Sequence, residues 1–213
     1  MEYRKLGKSF YDNEDTVKIA RELLGKYLLT DIGGEGITGG KIVETEAYLG
    51  AADKASHAYG NRKTERNKNL YKDGGHAYVY FIYGMYYLFN VVTGKENTAD
   101  AVLIRAVEPE IGLDIMLGRK EKARKGKGAA NGGINRITSG PGLLTIALGI
   151  NLRHNGIPIC ENGEKLNIWL EDRNIHISEK NIIETPRIGV DYAAEHSLLP
   201  WRFKIKGNKW ASR

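Results

Sequence analysis

The chain has 213 residues, 41% hydrophobic and 27% charged, which bounds it to a folded protein of one domain and excludes general disorder. No apolar run approaches the about 18 residues of a membrane span, and Met1-Glu2-Tyr3-Arg4-Lys5 leads into polar sequence rather than a secretory h-region, so the expected location is the cytoplasm, nucleoid-associated in a bacterium. Cys160 stands alone, which excludes an internal disulfide and a multi-cysteine metal site, while a net charge of +6 favours an anionic partner, nucleic acid first.

Residues 17–28 open with helical spacing: Val17, Ala20 and Leu24 share a stripe that Ile19 and Leu23 widen. Asn13 or Asp15 would cap this helix and Gly25 would close it. Leu28 and Leu29 enter a strand, and Gly33-Gly34-Glu35-Gly36 is a turn. Residues 41–49 read as a strand, with Val43, Thr45, Ala47 and Leu49 on one face and Ile42, Glu44, Glu46 and Tyr48 on the other. Residues 77–92 form a hairpin with its tip at Tyr83-Gly84-Met85. A short strand covers 101–106, and a helix begins at 111–117. Residues 119–136 read as a mobile basic loop, with six basic residues against one acidic between 119 and 128. A short helix spans 141–148, and strand-like pieces follow at 166–170 and 201–206. Strands and helices do not alternate regularly, which favours a mixed α/β (α+β) sheet with surrounding helices over a doubly wound fold.

Three groups of residues stand out chemically. Glu44, Glu46 and Tyr48 alternate onto one strand face, where paired carboxylates suit glycosyl hydrolysis by an activated water; an ordinary solvated strand face is the other reading. Seven of the twelve residues from Tyr78 to Phe89 are Tyr or Phe. Most must pack between strands, but Tyr83, at the hairpin tip, is either a surface tyrosine or a wedge for a base stack. His57 has no second histidine at ligand spacing, so no metal site is expected, and a hydrogen-bonded loop or core histidine is its plain reading. The stretch 62–69 suits phosphate contacts or a solvated loop.

The order of these motifs resembles the alkyladenine (3-methyladenine) DNA glycosylase family. The resemblance rests on Val43-Glu44-Thr45-Glu46-Ala47-Tyr48-Leu49-Gly50, then Ser56-His57, Thr64-Glu65-Arg66-Asn67, and Tyr78 through Tyr86 followed by Asn90. It continues through Val102 to Pro109, Ser139-Gly140-Pro141, Arg187-Ile188-Gly189-Val190 and Trp201-Arg202-Phe203, so that it covers about residues 5 to 210.

The resemblance implies a single catalytic domain over 1–213 with a curved, mostly antiparallel sheet and no helix-hairpin-helix motif. It implies a monomer without cofactor or metal that extrudes alkylated or deaminated purines from duplex DNA and hydrolyses the N-glycosidic bond, leaving an abasic site. Glu46 would be the general base. Arg105 and the Val190 carbonyl would help hold the water. Tyr48, His57 and Tyr80 would stack on the base, electron-rich rings favouring a cationic purine by about 0.5–2 kcal/mol. Asn90 would exclude guanine, and Tyr83 would fill the hole left in the duplex. The chain departs from the pattern after Pro141, where Gly142-Leu143-Leu144 stands in place of a lysine found in some relatives. A non-catalytic nucleic-acid-binding module is the principal rival. It would share the charge and the aromatic hairpin but has no need of Glu46 with Arg105.

Overall fold

The computed structural model describes residues 3–127, 136–160 and 167–212. Along the chain run β1 (Arg4–Lys5), α1 (Lys8–Tyr11), α2 (Thr16–Glu22), β2 (Tyr27–Asp31), β3 (Ile37–Leu49), β4 (Ala77–Ile82), β5 (Tyr86–Thr93), β6 (Asp100–Ile111), α3 (Leu113–Lys127), α4 (Pro141–Leu148), β7 (Ile168–Asp172), β8 (Ile182–Thr185) and β9 (Arg202–Ile205). The strands form one sheet in the order β1-β7-β2-β3-β6-β5-β4, with β9 also paired to β3 and β8 to β9. Each pairing between these strands is antiparallel. The class is the mixed one expected.

In α2 the Asp15 side chain caps the helix by accepting from the Lys18 amide at 2.8 Å, and Ile19 and Ala20 are buried with Leu23. The helix ends before Gly25. That glycine, at φ +88°, turns the chain into β2 where a Cβ would lie 3.0 Å from the Ile175 carbonyl oxygen.

β3 is the axis of the molecule. It pairs with β2 through its first half, β6 along nearly its whole length and β9 through residues 44–46. The strict alternation read from sequence does not hold at its start. The register against β6 shifts between Ile42 and Glu44 and again before Thr45, so that Ile42 and Val43 both enter the main core. Beyond the shift Ala47 stays in that core, while Glu44 and Glu46 meet one arginine of β6.

β6 runs past the 101–106 expected because its partner β3 offers 13 residues to pair with. The hairpin is in the expected register, Ile82 opposite Tyr86, with Tyr83 at φ 54°. The piece expected at 166–170 is β7, beginning at Ile168; residue 166 lies outside the described residues. The piece at 201–206 is β9. The short strands β1 and β8 carried no sequence signal.

The basic segment is a correction. Residues 119–127 continue α3 rather than forming a loop, because Lys, Arg, Glu and Ala are strong helix formers that outweigh Gly118 and Gly126. Arg119 anchors the helix from within, its guanidinium reaching Glu35, Thr38 Oγ1 and the carbonyls of Ile32 and Ala147 at 2.9–3.2 Å. The remainder, 128–135, lies outside the described residues.

Candidate active site

Two carboxylates of β3 are wholly buried and joined through one guanidinium. Arg105 Nε donates to Glu44 Oε1 at 2.8 Å, and Arg105 Nη1 lies 3.0 Å from Glu46 Oε1. A charge buried without partners would cost several kcal/mol, so each group here makes the others tolerable. Burial works against the Arg105 charge, but Glu46 and Glu44 more than offset it and raise its pKa above the ordinary value. Glu44 is also met by Arg202 Nη1 at 3.1 Å and by the amide and hydroxyl of Ser212 at 2.7 and 2.6 Å. Burial opposes its ionisation, but Arg105 and the Ser212 hydrogen bonds hold it below the usual glutamate range.

Glu46 has different company. Its Oε1 also accepts from the Ile188 amide at 2.9 Å, and its Oε2 accepts from the Tyr48 hydroxyl at 2.8 Å. A carboxylate oxygen has about two acceptor positions, so the Tyr48 hydroxyl leaves one on Oε2 open. Burial and the neighbouring Glu46 charge push the Tyr48 pKa well above its ordinary value, so the phenol stays protonated and donates.

The segment 186–199 lies over this centre and is fastened by a second buried ion pair. Both guanidinium ends of Arg187 bond Asp53, Nη2 to Oδ1 at 2.9 Å, and the same side chain takes the carbonyls of Ala47 and His196. Its guanidinium also rests 4.7 Å from the Tyr48 ring centre and 5.0 Å from that of Trp201. Burial opposes the Asp53 charge, but Arg187 and the amides of Ala55 and Leu49 hold its pKa below the ordinary value. The Val190 carbonyl accepts from the Ala193 amide at 2.9 Å, leaving its second lone pair free of that bond.

A cavity of about 610 Å³ opens above this centre, a size suited to a ligand as large as a purine nucleoside. Tyr48, His57, Tyr80, Asn90, Arg105 and Val190 all line it, whereas Glu46 lies just beneath the wall, behind three of its bonding partners. His57 and Tyr80 meet edge to face with ring centres 4.6 Å apart, and His57 Nδ1 is 2.8 Å from the Tyr78 hydroxyl. Burial, helped by the Arg66 charge, pushes His57 down to about 4, so the imidazole is neutral at physiological pH. Asn90 is held by its Nδ2 donating to the Tyr78 carbonyl at 3.1 Å.

Tyr83 stands at the mouth, 77% exposed on its hairpin tip. Across from it Tyr192 is 70% exposed, yet its hydroxyl is tied to the Ala55 carbonyl at 3.1 Å. Gly142 and Leu143, where the sequence departs from the pattern it resembles, form part of the wall. A Cβ at Gly142 would come 2.7 Å from the Tyr86 ring, so glycine is what lets α4 approach the hairpin.

The structure thus gathers seven of the eight residues singled out from sequence in the cavity wall or mouth and sets the eighth, Glu46, against it. Sequence reasoning missed Tyr78, which orients His57 and Asn90, and the Asp53–Arg187 pair. It also missed the role of Glu44, whose oxygens go to two arginines and the chain end rather than to the cavity. Arg187 lay inside a recognised motif, but nothing local marks Asp53 as its partner. Among the described residues no three His, Cys, Asp or Glu side chains cluster as metal ligands.

Residues 9–209 match the model of the methylpurine-DNA glycosylase family. A protein of Clostridium perfringens is 44% identical over 98% of this chain and 99% of its own length. One of Chlamydia felis is 46% identical over 96% and 97%, and one of Alkaliphilus oremlandii 44% over 98% and 99%. All three carry the name "Putative 3-methyladenine DNA glycosylase".

Proposed function

The chain belongs to the methylpurine-DNA glycosylase family, and from that premise we propose that it removes alkylated or deaminated purines from duplex DNA by hydrolysis, working as a monomer with 1–213 as one catalytic domain. Candidate bases are 3-methyladenine, 7-methylguanine, hypoxanthine and ethenoadenine. The observation that carries the reading is the Glu46 carboxylate. Two hydrogen-bond donors and the Arg105 ion pair hold it beneath a purine-sized cavity with an acceptor position on Oε2 to spare.

In this mechanism the extruded nucleotide places its base against Tyr48, His57 and Tyr80, with Asn90 opposing the 2-amino group of guanine and of 7-methylguanine, the latter still released because its cationic base leaves readily. A water bound between Glu46 Oε2 and the Val190 carbonyl attacks C1′ of the deoxyribose and gives its proton to Glu46. The electron pair of the C1′–N bond leaves with the base. The negative charge of Glu46 stabilises the oxocarbenium character that develops on the sugar. Arg105 keeps the carboxylate aimed. The product is an intact strand with an abasic site. Among the described residues no helix is long and apolar enough to cross a membrane, and action on chromosomal DNA in the cytoplasm follows from the substrate.

The test is single-turnover base release from duplexes carrying one hypoxanthine or one ethenoadenine, beside an undamaged duplex and methylated DNA. Lesion-dependent release with strand breaks only after alkali is expected. DNA binding without release from any of the damaged substrates would replace the enzyme by a non-catalytic binding module.

A further inference from the structure

The stacking tyrosines already carry cations, which limits how far their electron-rich rings can favour a cationic purine. Tyr48 faces Arg187, whose charge is met by Asp53. Tyr80 faces Arg66, with 5.8 Å from the guanidinium carbon to the ring centre. Arg66 does not line the cavity, and its Nη2 donates to a neutral group, the Phe81 carbonyl, at 3.1 Å. The adjacent carboxylate of Glu65 pairs with Lys68 at 2.8 Å. Among the described residues the Arg66 charge is therefore not matched as that of Arg187 is, and it is felt by three pocket groups, His57, Tyr78 and Tyr80.

We propose that Arg66 is a specificity-determining residue which, acting through Tyr80, biases base release toward neutral purines over cationic ones. The inference rests on the glycosylase reading above. A cationic lesion enters the pocket with a positive charge and leaves as a neutral base, since the electron pair of the C1′–N bond goes with it. A neutral lesion enters uncharged and acquires negative charge as the same bond breaks. In both, the base becomes more negative during bond cleavage, so a nearby cation speeds the bound step for both. Entry is opposed only for the cationic lesion. The two effects cancel for cationic bases and leave a net gain for neutral ones. Arg66 is exposed, so solvent screens it and the bias is modest, about threefold.

The experiment measures the maximal single-turnover rate and half-saturating enzyme concentration of wild type, Arg66→Gln and Arg66→Lys. The duplexes carry one ethenoadenine (neutral) or one 7-methylguanine (cationic). For Arg66→Gln the maximal rate falls about threefold on both. The half-saturating concentration falls relative to that for ethenoadenine only on 7-methylguanine, so the neutral-to-cationic ratio of rate over half-saturation drops about threefold. Arg66→Lys, which keeps the charge, retains the wild-type ratio. If Arg66 served only as a phosphate contact, Arg66→Gln would weaken both duplexes equally and reduce the salt slope by about one, leaving the ratio unchanged, and the proposal would fall. Loss of the ratio in Arg66→Lys would also overturn it. A wild-type protein that releases neither base overturns the glycosylase reading itself.

Discussion

The Ile188 amide donates to Oε1 of Glu46 over 2.9 Å, joining positions 142 residues apart. Through this bond the strand that carries the carboxylate meets the segment that carries the Val190 carbonyl, so the two groups proposed to hold the water share one frame.

Glu46→Gln tests that frame. The amide keeps one acceptor oxygen but sets an NH2 group against donors that bonded the carboxylate, and it cannot take a proton from water. Base release is expected to fall by about 10²–10⁴-fold with duplex binding nearly unchanged. Single-turnover kinetics beside a binding titration will check this. A variant that binds poorly but cleaves normally once saturated would remove Glu46 from the chemistry.

Glu44→Gln should behave oppositely, costing stability more than chemistry. It leaves Arg202 buried against a neutral partner and Arg105 with Glu46 as its remaining carboxylate, and removing one member of a buried ion pair costs about 3–5 kcal/mol. The folded pKa of Glu44 lies below the usual value, so its contribution is fully present above the ordinary carboxylate range and is lost as pH falls through the folded pKa. Urea unfolding at pH 7 should show a large gap between variant and wild type that narrows toward pH 3.

Asp100→Asn carries the reverse sign. Asp100 is pushed from 3.8 up to about 6, chiefly by burial and secondarily by Asp53, with the Thr16 hydroxyl as its hydrogen-bond donor. Its ionised form is disfavoured in the fold, so the wild type loses stability as pH rises from about 4 to 7. The asparagine variant should be more stable by about 1–3 kcal/mol at pH 8 and near neutral in effect at pH 4. Equal thermal midpoints for variant and wild type at pH 8 would contradict this.

Tyr83→Ala should leave stability within about 1 kcal/mol, because the side chain is largely in solvent. Stable extrusion of a base should weaken by about tenfold, since nothing would then fill the vacated stack. The fluorescence change of an ethenoadenine duplex on titration reads this directly. An unaltered extrusion equilibrium would assign Tyr83 to the surface only.

Much of the scaffold was legible because its signals are local. The apolar stripe and the cap at Asp15 specify α2, and the aromatic run broken at Tyr83-Gly84 specifies the β4–β5 hairpin. The basic segment misled for an equally local reason: glycines among charges were weighed above the helix propensity of the residues between them. Gathering the wall of Tyr48, His57, Tyr80 and Asn90 rested on resemblance, not on spacing.

By itself the sequence determined the mixed antiparallel class, the hairpin with its exposed tip and, through the order of its motifs, the family. Only the tertiary structure decided which carboxylate faces which partner. Glu44 and Glu46 are chemically identical and two residues apart on β3, yet one closes on Arg202 and Ser212 while the other keeps an acceptor position beside a cavity. The partners of Glu44 arrive from 61 to 168 residues away, and the Ile188 amide reaches Glu46 from 142. Pairing across such separations leaves no periodic trace in the chain, because it is set by how strands meet in the sheet and not by any neighbour along the sequence.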